Sequence, residues 1–117
     1  MLSKEEIKRY SRQIQLAELK TEGQQRLQDA KVLVVGAGGL GCPVLQYLAA
    51  AGVGTIGIVD FDLVEETNLH RQVLYATSDI GKSKVEMAAN RISEQNPFVK
   101  VEIFNSKLDN SNALKII

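Results

Sequence analysis

A glycine-rich segment is the first part of the sequence that suggests a ligand-binding function. In the segment Gly36–Gly41, the glycines Gly36, Gly38 and Gly41 satisfy the spacing GxGxxG, and Gly39 adds a fourth. The segment follows a short apolar run and opens a stretch with helical character. Glycines in that setting let main-chain N–H groups approach a phosphate at the positive end of a helix. The pattern predicts a nucleotide site, and the alternative is a turn that only packs a helix on a strand.

Two carboxylates stand where a ribose could be bound. Asp60 ends a second apolar run about twenty residues beyond the glycines, where an acid can accept hydrogen bonds from ribose hydroxyls. Asp62 is the second candidate, because alternation along the chain turns only one of the two acids inward. We expect Asp60 to hold the ribose, and the alternative is an aspartate exposed to solvent at the start of a loop.

Two cations and an amide accompany a long polar segment. Phe61–Gly81 is about twenty residues long, and connections of that length inside compact domains are usually functional. It carries Asn68 and Arg71, and Lys84 follows shortly after it. The pyrophosphate of a dinucleotide is served largely by a helix N-terminus, whereas the charge of a triphosphate needs further cations. The pair therefore favours an ATP-type ligand, although each cation alone could be a plain surface residue.

The pattern of apolar residues predicts the helices and strands that carry these candidates. Hydrophobic periodicity predicts two helices, then strand, helix, strand, helix and strand, at Lys4–Leu19, Glu22–Gln28, Lys31–Gly36, Cys42–Ala51, Thr55–Asp60, Lys82–Glu94 and Val99–Ile103. The first two strands are almost continuously apolar, which is typical of strands buried on both faces of a parallel sheet. The order predicts an α/β fold with N-terminal helices followed by half of a doubly wound, Rossmann-like parallel sheet.

The same order divides the chain into two parts. Residues 1–29 form an N-terminal helical segment, and residues 30–117 form half of a nucleotide-binding domain. The last ten residues have the pattern of a helix cut off in its first turns, and half a sheet would leave exposed edges. We therefore expect a truncated sheet and a fragment of a longer protein.

Composition excludes several classes of protein. The 117 residues hold 14 Lys+Arg and 14 Asp+Glu, so no global field attracts nucleic acid or an anionic membrane. No apolar stretch approaches the roughly 20 residues of a membrane span, and the N-terminus lacks a signal-peptide pattern. The single cysteine, Cys42, excludes an internal disulfide, and with the single histidine, His70, it is too little for a metal site. We expect a cytoplasmic protein in which Cys42 is buried and His70 has no catalytic duty.

Six motifs in one order carry a more specific signal: Arg9–Gln13, Gly36–Gly41, Ala51–Gly54, Val59–Asp62, Asn68–Gln72 and Gly81–Lys84. Together they resemble the N-terminal half of the ThiF/MoeB/HesA family, bacterial relatives of the ubiquitin-activating enzymes. The resemblance covers residues 7–105. It implies ATP-dependent adenylation of the C-terminal carboxylate of a ubiquitin-like sulfur-carrier protein that ends in Gly-Gly and serves thiamin or molybdopterin synthesis.

The resemblance also implies a role for each matching residue. Arg12, on the first helix, would reach the triphosphate from the partner subunit of a homodimer. In family members, the aspartate associated with Mg²⁺ and the zinc-binding cysteine pairs would lie beyond residue 117, so the fragment alone is expected to be inactive. The nucleotide would be bound by Gly36, Gly38, Gly39, Gly41, Asp60, Asn68, Arg71 and Lys84, with Arg12, Arg71 and Lys84 as the catalytic candidates.

Two other functions use the same features. An NAD(P)-binding oxidoreductase domain would employ the glycines and Asp60. It would give no common role to the remaining candidates, Arg12, Asn68, Arg71 and Lys84. A non-catalytic scaffold would dimerise through its N-terminal helices and keep only vestigial contact with a nucleotide. The sequence favours the adenylyltransferase and leaves both alternatives open.

Overall fold

Three parallel strands form the centre of the structure, a computed structural model that describes residues 1–16 and 18–117. The strands are paired in the spatial order β1-β2-β3, so each neighbour in sequence is also a neighbour in the sheet. In chain order the elements are α1 (Lys4–Arg9), α2 (Ser11–Ile14), α3 (Lys20–Asp29), β1 (Lys31–Val35), α4 (Gly41–Ala51), β2 (Thr55–Asp60), α5 (Lys84–Gln95), β3 (Lys100–Asn105) and α6 (Ala113–Ile116). The predicted β-α-β-α-β order and the α/β class are confirmed.

Helices α4 and α5 pack together and against the sheet, and the core lies between them. Both crossovers run in the same direction along the sheet, and right-handed crossovers of that kind place their helices on one face. The largest fully buried apolar side chains come from both layers and from the polar segment: Leu45, Ile56, Ile58, Leu74 and Ile92. The polar segment therefore contributes to the core rather than lying loosely on the surface.

The expectation that β1 is buried on both faces is wrong. Val34 faces the helices and is buried, whereas Val35 is 58% exposed and Leu33 is only half-buried. The cause is the placement of α4 and α5 on one face. At the other face the four-residue helix α6 reaches the sheet only through its end, where Ile116 shares a cavity with Leu33. The apolar run of β1 is therefore covered on one side only.

The predicted helix Lys4–Leu19 is also wrong in its extent. Helix α1 begins at a capping box between Ser3 and Glu6, as the sequence indicates, but it ends at Arg9. Tyr10 leaves helical geometry, at φ −98° and ψ 11°, and its buried hydroxyl accepts a hydrogen bond of 2.8 Å from Asn96 Nδ2. A tertiary contact therefore coincides with the end of α1. The part of the prediction at Ala17 lies outside the described residues.

The N-terminal helices are attached to one edge of the sheet. Gln13 Nε2 donates to the carbonyl of Ala51 at 2.7 Å, and Gln24 Nε2 donates to the same oxygen at 3.0 Å. Arg9 Nη1 donates to the carbonyl of Gln95 at 3.1 Å. Ala51 and Gln95 are the last residues of α4 and α5. The N-terminal helices therefore lie at the edge opposite the carboxyl ends of the strands.

Candidate nucleotide-binding site

The glycine turn connects the end of β1 to the start of α4. Gly36 adopts φ +97°, a conformation that L side chains rarely enter, and its N–H donates to the carbonyl of Val59 at 2.7 Å. A Cβ on Gly41 would lie 2.0 Å from the main-chain oxygen of Gly36. The fold requires glycine at position 36 because of the positive φ, and at position 41 because the first residue of α4 packs directly against the turn.

Glycine at the two middle positions has no such structural reason. A Cβ on Gly38 would lie 3.6 Å from Gln72 Nε2, and one on Gly39 would lie 3.7 Å from Arg71 Cδ. Both are ordinary van der Waals distances, and neither residue has a positive φ. The positive φ explains Gly36 and the close approach of α4 explains Gly41, but neither reason applies to Gly38 and Gly39.

Asp60 holds the turn to the end of β2. Its Oδ2 accepts a hydrogen bond of 2.7 Å from the N–H of Ala37, and its Oδ1 accepts one of 2.8 Å from the N–H of Asp62. The side chain is half-buried, whereas that of Asp62 is 57% exposed. Of the two acids that the sequence leaves open, Asp60 is the one that the structure places against the glycine turn.

A cavity of about 290 Å³ opens beside Asp60 at the carboxyl ends of β2 and β3. Its size lies at the lower end of the range for small-molecule sites. Apolar side chains form most of its wall, and Asp60 and Asp62 supply the carboxylates. The lining residues are Val35, Gly36, Val59, Asp60, Phe61, Asp62, Ser106, Lys107 and Leu108. The stretch 106–108 had no role in the sequence-based site, because a loop after the third strand carries no motif.

Arg71 lies directly beside the glycine turn, as the Gly39 distance shows. Its guanidinium is exposed, with Nη1 3.5 Å from the carbonyl of Thr67 and 3.4 Å from His70 Nε2. The main-chain oxygen of Asn68 accepts hydrogen bonds from the N–H groups of Arg71 and Gln72, at 3.1 and 2.8 Å. The structure therefore brings Asn68 and Arg71 into one tight turn against the glycines.

Lys84 is buried, with a side chain only 6% exposed. Its Nζ lies 3.9 Å from Asp62 Oδ2, and its main-chain N–H donates to the carbonyl of Asp62 at 3.1 Å. Lys84 is also the first residue of α5, the end of a helix where a cation is electrostatically unfavourable. A buried ammonium at that position adds to the positive potential instead of relieving it.

Gln72 is a residue that the sequence analysis quoted in a motif but did not assign to the site. Its side chain is 4% exposed, and Oε1 has no hydrogen-bond partner among the described residues. Ser83 Oγ, at the start of α5, is the other buried side-chain atom of this kind in that part of the chain. Buried polar atoms without partners are rare in folded proteins and indicate a water or ligand. Gln72 lies beside the glycine turn, where its Nε2 would be 3.6 Å from a Cβ on Gly38.

Arg12 is not part of this arrangement within one chain. It is exposed on α2, next to Gln13, which contacts the last residue of α4. The glycine turn lies at the first residue of α4, and an 11-residue helix is about 16 Å long. The structure therefore places Arg71 beside the glycine turn and Lys84 beside Asp62, and it leaves Arg12 near the opposite ends of the strands.

Cys42 is fully buried, and its Sγ lies 3.4 Å from the carbonyl of Ala37. Burial raises the pKa of this thiol above its ordinary value of 9.0, so the start of α4 does not make it reactive. The unfolded thiol loses its proton first. Its contribution to stability is therefore fully present below pH 9.0 and is lost as the pH rises toward the higher folded-state pKa.

We predict that this linkage is measurable. Above pH 9.0, the free energy of unfolding of the wild type should fall faster than that of Cys42→Ala, by up to about 1.4 kcal/mol per pH unit. Urea denaturation of both proteins between about pH 7 and pH 10 checks this. Parallel curves for the two proteins would contradict it.

The described residues contain no cluster of three or more His, Cys, Asp or Glu side chains that could hold a metal ion. In the same part of the chain, no helix combines the length and the apolar character needed to cross a membrane.

Comparison with known families decides the relationship. Residues 10–117 match the ThiF family model. This chain belongs to the ThiF family. The resemblance inferred from the six motifs is confirmed.

Two curated relatives of the ThiF-family chain are adenylyltransferases by name. It is 55% identical over 115 residues to the sulfur carrier protein adenylyltransferase of Thermus thermophilus, covering 98% of this chain and 42% of the relative. It is 53% identical over 115 residues to the probable adenylyltransferase/sulfurtransferase MoeZ of Mycobacterium tuberculosis, covering 98% and 29%. The chain thus spans less than half the length of either relative.

A solved structure confirms the Rossmann-like fold. The tRNA N6-threonylcarbamoyladenosine dehydratase TcdA of E. coli, in complex with ATP, superposes with a TM-score of 0.91 at 30% identity. The match covers 98% of the ThiF-family chain and 46% of TcdA.

Proposed function

We propose that this chain forms the ATP-binding part of an adenylyltransferase that activates the C-terminal carboxylate of a ubiquitin-like sulfur-carrier protein. The observation that carries the proposal is the arrangement of Gly38 and Gly39. A side chain at either position would fit without a clash, so packing does not account for the two glycines, and Arg71 lies beside them. Glycine at such positions is explained by close approach of a phosphate to the main chain.

The electrostatics of the site support a polyphosphate. Helix α4 starts without a side-chain cap among the described residues, so its positive end can face an anion. The N–H of Cys42 already donates to the carbonyl of Gly38 at 2.9 Å and Pro43 has no N–H, so the N–H groups offered to a phosphate are those of the glycine turn. Lys84 adds a positive charge at the start of α5, and Arg71 adds a guanidinium suited to phosphate oxygens. The pyrophosphate of NAD(P) needs no such pair of cations, so the site favours ATP.

The proposed chemistry needs positioning more than acid or base catalysis. A C-terminal carboxylate has a pKa near 3.5, so at neutral pH it is already an ionised nucleophile. Its oxygen bonds to the α-phosphorus of ATP as the bond from that phosphorus to the pyrophosphate oxygen breaks. Arg71 and Lys84 stabilise the charge that accumulates on the departing pyrophosphate, and Asp60 and its cavity accept the ribose. The described residues do not fit a protein-held Mg²⁺ or Zn²⁺ site, so no step here depends on one.

The test is exchange of labelled pyrophosphate into ATP by the full-length protein. We expect exchange only when a carrier ending in Gly-Gly is present, because the carboxylate is the acceptor of the adenylyl group. A carrier truncated by its last glycine pair is the matched control. Exchange that proceeds equally with the truncated carrier would contradict the proposal. Calorimetric binding of NAD in preference to ATP would favour the oxidoreductase instead.

The far position of Arg12 supports a homodimer in which each subunit completes the other's site. We predict that Arg12→Ala and Lys84→Ala proteins, each nearly inactive alone, recover about a quarter of wild-type exchange when equal amounts are mixed and allowed to exchange subunits. In each mixed dimer, one site then receives both defects and the other receives none.

A second mixture serves as the control for this complementation. Arg71→Ala mixed with Lys84→Ala should recover nothing, because both residues come from the same subunit. Absence of recovery in the Arg12 mixture, with mixed dimers shown to form, would refute the shared site.

A further inference from the structure

We infer that Tyr75 is a positioning residue for the nucleotide, because its hydroxyl joins the loop that carries Arg71 to the glycine turn that receives the phosphates. This inference rests on the proposed function. It concerns the geometry of the turn rather than contact with the ligand.

The peptide groups around Ala37 are held from two sides. The N–H of Ala37 donates to Asp60 Oδ2 at 2.7 Å, and its carbonyl accepts a hydrogen bond of 2.7 Å from the hydroxyl of Tyr75. Ala37 is fully buried and Tyr75 is 6% exposed, so water does not compete for these bonds. Both the N–H and the carbonyl of Ala37, the second residue of the turn, are thereby held by side chains.

The two anchors come from different elements, which makes the Tyr75 bond informative. Asp60 ends β2, next to the strand that leads into the turn, whereas Tyr75 belongs to the long connection before α5. The N–H of Tyr75 donates to the carbonyl of Gln72 at 3.2 Å, so Tyr75 is part of the same local structure as Arg71. Its hydroxyl therefore fixes the distance between Arg71 and the backbone of Gly38 and Gly39.

The protonation state of Tyr75 suits this role. Burial, with Cys42 and Asp60 nearby, raises the pKa of the phenol well above its ordinary value of 10.0. The hydroxyl therefore keeps its proton and remains a donor to Ala37 at any pH at which the protein works.

The test replaces Tyr75 by phenylalanine in the full-length protein, which keeps the buried ring and removes only the hydroxyl. We expect the Kd and the KM for ATP to rise about tenfold, the factor that corresponds to one net hydrogen bond, while kcat changes by less than about threefold. Calorimetry with ATP and pyrophosphate exchange measure the two quantities.

The matched control is Tyr10→Phe. Tyr10 is also a buried tyrosine with one hydrogen-bonded hydroxyl, but it lies at the opposite edge of the sheet. We expect this variant to lose stability to urea and to keep the wild-type Kd for ATP. Equal weakening of ATP binding in both variants would mean that Tyr75 acts only through stability, and it would overturn the inference.

Two further outcomes separate the inference from the proposed function. If the wild type does not bind ATP, the proposed function fails. If it binds ATP and Tyr75→Phe binds it equally well, only the inference fails. Hydrogen exchange gives a readout without ATP: residues 37–42 should exchange at least about tenfold faster in Tyr75→Phe, with β2 unchanged. Unchanged exchange in that segment would also overturn the inference.

Discussion

Replacing Lys84 by methionine in the full-length protein is expected to lower carrier-dependent pyrophosphate exchange about 10²- to 10³-fold, the effect of removing one preorganised charge donor. The same change should leave the free energy of unfolding equal or higher. Methionine keeps the length of the side chain, and it removes a buried ammonium whose counterion, Asp62, is 57% exposed. The variant would therefore lose exchange activity without losing stability. If Lys84 had only a structural role, the loss of activity would follow a loss of stability.

Lys82 provides the matched control for this prediction. It lies two residues before Lys84, its side chain is exposed, and its main-chain carbonyl accepts the bond from Val64 that any residue could accept. Lys82→Met should keep exchange within about twofold of the wild type, because exposed charges contribute little. If Lys84→Met retains full exchange, or if both variants lose it alike, the phosphate role of Lys84 is wrong.

Replacing Gly41 by alanine is expected to destabilise the protein by about 3 kcal/mol, at the upper end of the usual effect of overpacking. The added Cβ would lie 2.0 Å from a main-chain oxygen, so either α4 or the Gly36 turn must shift. No rotation of a side chain can relieve this contact. We expect a lower urea midpoint and, because the turn is displaced, loss of ATP binding.

Gly38→Ala is the control for the Gly41 substitution. It adds the same methyl group to the same turn, but the new Cβ would lie 3.6 Å from its nearest neighbour. Its free energy of unfolding, measured in urea, should remain within about 1 kcal/mol of the wild type. A Gly41→Ala protein as stable as Gly38→Ala would show that the turn does not need the close approach seen in the structure.

Much of the architecture could be predicted from local patterns. The β-branched runs at Lys31–Val35 and Thr55–Asp60 predict strands, and the helix between them ends at Gly52, where a left-handed residue is expected and found at φ +93°. The glycine spacing after β1 and the acid after β2 also predict where a nucleotide site belongs. Each of these features depends only on residues that are neighbours in sequence, so each can be predicted from a short segment.

Other features depend on contacts between distant residues. The helix break at Tyr10 coincides with its bond to Asn96, 86 residues away, and no local signal marks it. The burial of Lys84 arises because Asp62 and the long connection fold over the start of α5. Tyr75 had no role in the sequence analysis, since nothing in its neighbourhood predicts that its hydroxyl reaches Ala37.

The order of elements, the nucleotide-type turn and the family are predictable from local sequence patterns. Only the folded chain shows which face of the sheet is covered, that Arg12 lies away from its own chain's turn, and which of the two acids anchors that turn. Hydrophobic periodicity and glycine spacing reflect interactions between residues that are close in sequence. The surroundings of a charged group or a hydroxyl depend instead on residues that are distant in sequence and meet only in the folded protein.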